Sequence, residues 1–217
     1  MVEQKLSFSA HSKLPSEIPG RGGASLVQLS STDEVHTLLL FFGASREQQL
    51  DDFWIVKIDR KTFKVTEAQE LVLKERDNLT TRNSMAAVSH GGKVILFGGQ
   101  DSEKGILYNE IYSIDTNQGY KIQHHSYGEG EIAPAPRNSH TMVSDGQGSA
   151  YMFGGANEEG PRRDLFKLDL DTMRFSNIKI QDESKIKVPY LEMHTSHMYN
   201  NGKNLLILGG RGMFPGQ

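Results

Sequence analysis

Four apolar runs, each ending in a pair of small residues, recur along the chain at almost equal intervals. They are Leu39-Leu40-Phe41-Phe42-Gly43-Ala44, Val94-Ile95-Leu96-Phe97-Gly98-Gly99, Tyr151-Met152-Phe153-Gly154-Gly155 and Leu205-Leu206-Ile207-Leu208-Gly209-Gly210. The pairs close at residues 44, 99, 155 and 210, in steps of 55, 56 and 55. Chance does not hold four runs to within one residue of a common period. A fixed period near 50 residues defines an array of similar units that bury their apolar faces against one another.

Other features keep the same phase. About ten residues after each of the first three pairs comes an alternating segment led by a polar residue: Asp52 to Asp59, Asn109 to Asp115 and Asp164 to Asp169. Period-two patterning of this kind predicts half-buried strands. An aromatic follows, Phe63, Tyr120 or Phe175, and a basic start precedes the apolar run, at Arg21, Arg82 or Arg137. The fourth copy offers only His194-Thr195-Ser196-His197 at that place. Gly91-Gly92, Gly146-Gln147-Gly148 and Asn200-Asn201-Gly202 supply the positive φ that tight hairpin turns demand. Each repeat is therefore expected to form four antiparallel strands, A to D. Strand A follows the arginine, B ends at the small pair, C alternates and D carries the aromatic. The units fall at 21–66, 82–123, 137–178 and, incomplete, 190–217, behind an N-terminal segment 1–20.

Composition supports the turns. Hydrophobic residues make up only 36% of the 217, but 22 glycines restore the balance of a globular chain. With 24 basic and 27 acidic residues the net charge is −3, which argues against a nucleic-acid coat or a polybasic membrane protein. There is no cysteine, so disulfides, thiolate-held zinc and a thiol nucleophile are excluded. The N-terminus leads into no apolar core of a signal peptide, and the expected location is cytoplasmic. The sequon Asn78-Leu79-Thr80 is then fortuitous.

The combination of an Arg or His opening, an apolar strand ending in Gly-Gly, a polar-led strand C and a late aromatic resembles the kelch repeat. The third copy is nearest: Arg137-Asn138-Ser139-His140, Tyr151 to Gly155, Asp164-Leu165-Phe166 and Phe175. The resemblance implies an all-β, kelch-type β-propeller of four-stranded antiparallel blades. It departs from the family pattern where Ala44 replaces the second glycine and Phe or Tyr replaces the late tryptophan. About six blades of this length need roughly 330 residues, so the expectation is part of a larger ring. The alternating Lys5-Leu6-Ser7-Phe8-Ser9-Ala10 is then a strand that closes the last blade.

No catalytic constellation emerges. The glycines form no phosphate-binding G-x-x-x-x-G-K-[ST]. His194 and His197 stand three apart, on opposite faces of a strand, and do not readily share a metal ion. The pairs Asp51-Asp52 and Glu158-Glu159 lie in connecting segments and are expected to be solvated. Glu67 to Asn78 is taken as a charged insertion between repeats, and Gln181 to Lys187 as an exposed loop. The kelch resemblance implies a non-enzymatic interaction scaffold without cofactor or metal, docking another protein or peptide on the face where the D–A and B–C loops emerge. Candidate contact residues there are Arg21, Ser45, Arg46, Arg82, Gln100, Asp101, Arg137, Asn157, Glu158 and Arg211. The three in-phase arginines suit an acidic partner by bidentate pairing, or alternatively anchor a polar network between blades. Nucleic acid, membrane and disulfide-linked partners are not expected, and cytoskeletal association is compatible. The other reading is a regulatory propeller attached to a catalytic domain outside this chain, such as a phosphatase, methyltransferase or ubiquitin-ligase assembly.

Overall fold

The computed structural model describes residues 18–181 and 187–213. The strand proposed at Lys5–Ala10, most of the loop at 181–187 and the last four residues lie outside them. Repeat 1 forms β1 (Ser25–Ser31), β2 (Val35–Phe41), β3 (Phe53–Asp59) and β4 (Val65–Glu70). Repeat 2 forms β5 (Ala86–His90), β6 (Lys93–Phe97), β7 (Gln100–Asp101), β8 (Ile106–Leu107), β9 (Ile111–Asp115) and β10 (Lys121–His125). Repeat 3 forms β11 (Thr141–Ser144), β12 (Ser149–Phe153), β13 (Ala156–Asn157), β14 (Gly160–Pro161), β15 (Leu165–Asp169) and β16 (Arg174–Ile178). Repeat 4 contributes β17 (Tyr190–Tyr199) and β18 (Asn204–Met213).

The first three units are four-stranded antiparallel sheets in the orders β1-β2-β3-β4, β5-β6-β9-β10 and β11-β12-β15-β16. Each is a blade with strands A to D as expected, and β17-β18 supplies A and B of a fourth. Strand D of the first blade extends to Glu70, so Glu67 to Glu70 belong to a strand and not to an inserted loop. The A strands lie side by side, β1 on β5, β5 on β11 and β11 on β17. Among the described residues no strand pairing joins β17 or β18 to β1.

The continuous apolar run of β6 is explained by its central place. Val94 and Leu96 point toward blade 1 and pack with Phe41, Phe42, Phe53 and Val27. Ile95 and Phe97, on the other face, pack with Met142, Met152, Phe166 and Phe175 of blade 3. A strand buried on both faces has no polar side to alternate. The neighbours Phe53 and Trp54, like Ile111 and Tyr112, are both buried for the same reason.

Three register assignments differ from the sequence reading. The left-handed pair that ends strand B is Phe42-Gly43 in repeat 1 (φ 60° and 94°), matching Gly98-Gly99 and Gly154-Gly155. Backbone pairing agrees, because Gly43, Gly99 and Gly155 each donate an N–H to the next blade, at Arg82, Arg137 and Leu191. Ala44 is thus no glycine substitute; the period runs through 43, 99, 155 and 210. Second, Phe63 and Tyr120 lie in the C–D turn at positive φ, and Phe63 is 69% exposed. The inward position two residues later is Val65, Ile122 or Phe175, and only the third copy places an aromatic there. Third, of the two histidines that the fourth copy offers at the repeat's start, His194 is buried in phase with His140, whereas His197 faces outward on β17.

The glycine pair has a steric cause. A Cβ on Gly155 would meet the Asn138 carbonyl at 2.5 Å and the His140 Cβ at 2.7 Å. A Cβ on Gly154 would meet the Leu191 carbonyl at 2.5 Å and the His194 ring at 3.0 Å. Gly155→Ala should therefore cost more than the ~1–3 kcal/mol of its left-handed backbone alone. Gly146→Ala, at φ 73° with nothing within 4 Å, should cost only that conformational part. Urea denaturation of the two variants measures the difference; equal losses would remove the steric account.

Candidate binding face

The face where strand B ends and strand A begins is built on three ion pairs whose arginines are buried and whose carboxylates reach partly into solvent. A residue just ahead of each C strand, Asp52, Glu110 or Asp164, meets the arginine that opens the repeat. Arg137 pairs in bidentate fashion with Asp164 at 2.6 and 2.9 Å and donates to the carbonyls of Gly154 and Ala135. Arg82 donates to Glu110 at 2.9 Å and to the Gly98 and Thr80 carbonyls, with its guanidinium 4.0 Å from the Tyr108 ring centre. Arg21 grips both carboxylate oxygens of Asp52 and the Phe42 carbonyl. Burial works to raise the Asp52 carboxyl, but hydrogen bonds from Arg21 and Trp54 outweigh it and hold the group below its ordinary value. Asp52 is thus a partner in a half-buried pair, not a solvated loop acid.

Arg82 and Arg137 are wholly buried, and the Arg21 side chain is nearly so. All three are neutralised, which removes them as a free cationic surface. The polar-led start of strand C is the other half of the same device.

Next to each arginine a second network crosses the blades. Gln49 of blade 1 donates to Asp101 (2.7 Å) and accepts from Asn83 (3.0 Å). Gln100 donates to Asn83 (3.0 Å) and accepts from Asn138 of blade 3 (2.6 Å). Asp101 is 2% exposed; burial tends to raise its carboxyl, but bonds from the Lys104 backbone and side chain and from Gln49 bring it below the usual value. Along the starts of the A strands, Ser84 donates its N–H to Gly23, Ser139 to Ser84 and Met193 to Ser139, at 2.7 to 2.9 Å. Backbone and side chains together fix this face as one lattice.

The sequence-derived contact residues divide accordingly. Gln100 and Asp101 belong to the lattice. Ser45 caps its own loop through Glu47 and Gln48, and Asn157 accepts from Glu159 in the β13-β14 hairpin. Arg46 and Glu158 are exposed. Arg211 pairs with buried Glu192 at 2.6 Å while its side chain remains 76% exposed. Sequence reasoning missed Gln49, Asn83 and Asn138, although Asn83 and Asn138 follow their arginines in phase. It also missed the hairpins β7-β8 and β13-β14, which lift Ser102-Glu103-Lys104 and Glu158-Glu159 into solvent. The described residues hold no cluster of three or more His, Asp or Glu side chains arranged for a metal ion.

Four-stranded antiparallel sheets stacked through their A strands define the blade architecture of propeller proteins. A family model, the KLHDC2/KLHL20/DRC7 Kelch-repeats domain, matches residues 23–215, and the chain belongs to this kelch-repeat family. Among curated proteins, acyl-CoA-binding domain-containing protein 4 of Arabidopsis thaliana is 27% identical over 96 residues, 44% of this chain and 14% of its own length. Multiple epidermal growth factor-like domains protein 8 of Homo sapiens is 30% identical over 118 residues, 53% of this chain and 4% of its own. The Mus musculus protein of that name matches over the same share. The chain thus spans a small part of these relatives. Kelch-repeat domains are in general non-catalytic protein-interaction modules.

Proposed function

We propose that this chain is a scaffold or adaptor that binds a partner protein on its D–A/B–C loop face, as part of a larger propeller of about six blades. The observation that carries the reading is the lattice Gln49–Asn83–Gln100–Asn138, which locks the loops of three blades before any partner arrives. Pre-organised loops bind with less ordering cost. On that support stand Arg46, Glu47, Gln48, Ser102, Glu103, Lys104, Glu158 and Glu159, all exposed. With the three arginines closed, the exposed charge has both signs, and the partner segment it matches is one of mixed charge, not a purely acidic one. The small fraction of each relative that the match covers favours a second form of the same role, in which the kelch unit positions further domains of a longer protein.

Affinity capture tests the face. The double variant Arg46→Glu, Glu158→Lys, at two exposed side chains outside the lattice, should melt like the parent yet lose partner recovery about tenfold or more, the loss expected when a central contact is reversed. Lys203→Glu, in the turn between β17 and β18, is the control and should capture as the parent does. Equal recovery by both variants would overturn the assignment.

A further inference from the structure

The links from strand D of one blade to strand A of the next are equal in length, yet they cover the outer edge of the following blade unequally. Residues 71–81 join β4 to Arg82 and residues 126–136 join β10 to Arg137, so each position of the first link has its counterpart 55 residues on. The second link closes over β16 of blade 3. There Glu131 pairs with Arg174, Ile132 forms an antiparallel bridge with Phe175, and the Tyr127 hydroxyl donates to the Asn109 carbonyl at 2.6 Å. The first link stands off β10 of blade 2 and leaves a groove of about 820 Å³. Val72, Leu73 and Lys74 line one side of it, and Tyr120, Lys121 and Ile122 line the other.

The residues that differ between the two links account for the groove. The place of Glu131 is taken by Arg76, which turns back to its own blade, 3.3 Å from Asp51 and 5.5 Å from the Phe53 ring centre. The place of Ile132 is taken by Asp77, whose carboxylate accepts the His124 N–H at 2.6 Å. Val72 stands for Tyr127 and is 80% exposed. Charge is inverted as well: the first link carries Lys74 and Arg76 where the second carries Glu129 and Glu131, and Glu75 stands where the second has Gly130. Strand β10, by contrast, keeps what the closed copy uses. Lys121 lies opposite Asp115 as Arg174 lies opposite Asp169, and Ile122 is buried as Phe175 is. His124 turns its N–H outward to Asp77, so Ile122, two residues earlier on an extended strand, turns its own N–H the same way. Among the described residues no bridge meets Ile122 on that side, and no carboxylate forms an ion pair with the exposed Lys121.

We propose that this groove docks an extended acidic segment of a partner protein, in which a carboxylate residue is followed directly by a branched aliphatic one. The carboxylate meets Lys121, with Lys74 on the opposite wall, and the aliphatic residue bridges Ile122 and covers Val72. The partner thereby supplies to blade 2 what Glu131-Ile132 supplies to blade 3 from within the chain. Backbone bonds to a sheet edge give such a segment its hold, and the side chains set its register. Blade 2 keeps its four strands. None of the groove's residues belongs to the loop lattice, so the groove stands or falls independently of the docking face proposed above.

Labelled synthetic peptides provide the test, titrated by fluorescence anisotropy on the full 217-residue chain. One copies residues 126–134, and the other carries Glu131→Lys in the same peptide. The Glu peptide should bind about fivefold or more tightly than the Lys peptide, because exposed pairs change from attraction to repulsion. In the protein, Lys74→Glu with Lys121→Glu, both at exposed positions, should reverse that order, and the reversal itself shows that the variant is folded. Arg76→Glu with Asp77→Ile rebuilds the second link in the first. That variant should bind neither peptide while melting at or above the parent's temperature. Equal affinity of the two peptides, no reversal with the lysine variant, undiminished binding to the rebuilt link, or no binding at all overturns the proposal. Binding kept by the lysine variant but lost with Arg46→Glu, Glu158→Lys would overturn it in favour of the loop face.

Discussion

Arg137→Met should destabilise the protein by about 3 kcal/mol, the low end of the cost of breaking a buried ion pair. The variant removes two bonds to Asp164 and leaves the Gly154 and Ala135 carbonyls without their donor. The low end applies because Asp164 keeps a quarter of its side chain in water, so its orphaned charge is only partly desolvated. In a domain of this size the loss corresponds to a melting temperature lower by about 6–12 °C. The double variant Arg137→Met, Asp164→Leu should recover part of the loss, because no unpaired charge remains, and the double-mutant cycle isolates the pair. Arg46→Glu, on an exposed loop, should leave the melting temperature unchanged within error. If Arg137→Met also left it unchanged, the arginines would be free to serve a partner, and the acidic-partner reading would return.

This outcome decides what charge reversal of Arg82 with Arg137 can report. With both side chains at zero exposure and already engaged, reversal places like charges in two buried sites, and unfolding is the expected result. Loss of capture by such a protein would say nothing about a docking face. Only exposed residues outside the lattice, such as Arg46 and Glu158, can probe that face without disturbing the core.

The blade plan was legible because it rests on local signals that repeat: turn glycines, period-two strands and apolar runs at one interval. Where the sequence reading slipped, a tertiary contact had replaced a local rule. Phe42 occupies the left-handed position that Gly98 and Gly154 fill in the next two copies; those glycines face the rings of His140 and His194, whereas Phe42 shares a buried apolar cluster with Met85, the residue in phase with those histidines. Phe63 mimics the late aromatic in spacing, yet it sits in the turn capped by Asp59, two residues before the inward position. The arginines were visible, but their partners were not, since Arg82 and Glu110 are 28 residues apart and only strand pairing brings them together. The lattice through Gln49 was illegible for the same reason: its partner Asp101 is 52 residues away, on another blade.

Acidification from pH 7 to 5 should cost about 2 kcal/mol through His140 alone. Its ring is fully buried against Phe97, with centroids 5.5 Å apart, and neither ring nitrogen has a hydrogen-bond partner. Burial, then the positive charge of Arg137, then His194, push its pKa down from 6.5 to about 3. Burial also lowers His194. An imidazole whose folded pKa is depressed stabilises the fold in full above the unfolded value. As pH falls below 6.5 the unfolded chain takes up a proton that the folded chain refuses, and stability drops by ~1.4 kcal/mol per pH unit until the folded pKa is reached. The lowered carboxylates Asp59, Asp101 and Asp169 act in the same direction but only as pH approaches their unfolded value of 3.8, so the histidines own the window from 6.5 to about 4. His140→Met borrows the residue that blade 2 carries at this position, Met85, and removes two unsatisfied ring nitrogens. That variant should match or exceed the parent at pH 7 and show a shallower decline in urea midpoint between pH 6.5 and 5. A parental slope in His140→Met would mean that the imidazole is already protonated or solvated in the folded state. The contact between blades 2 and 3 would then be looser than its burial implies.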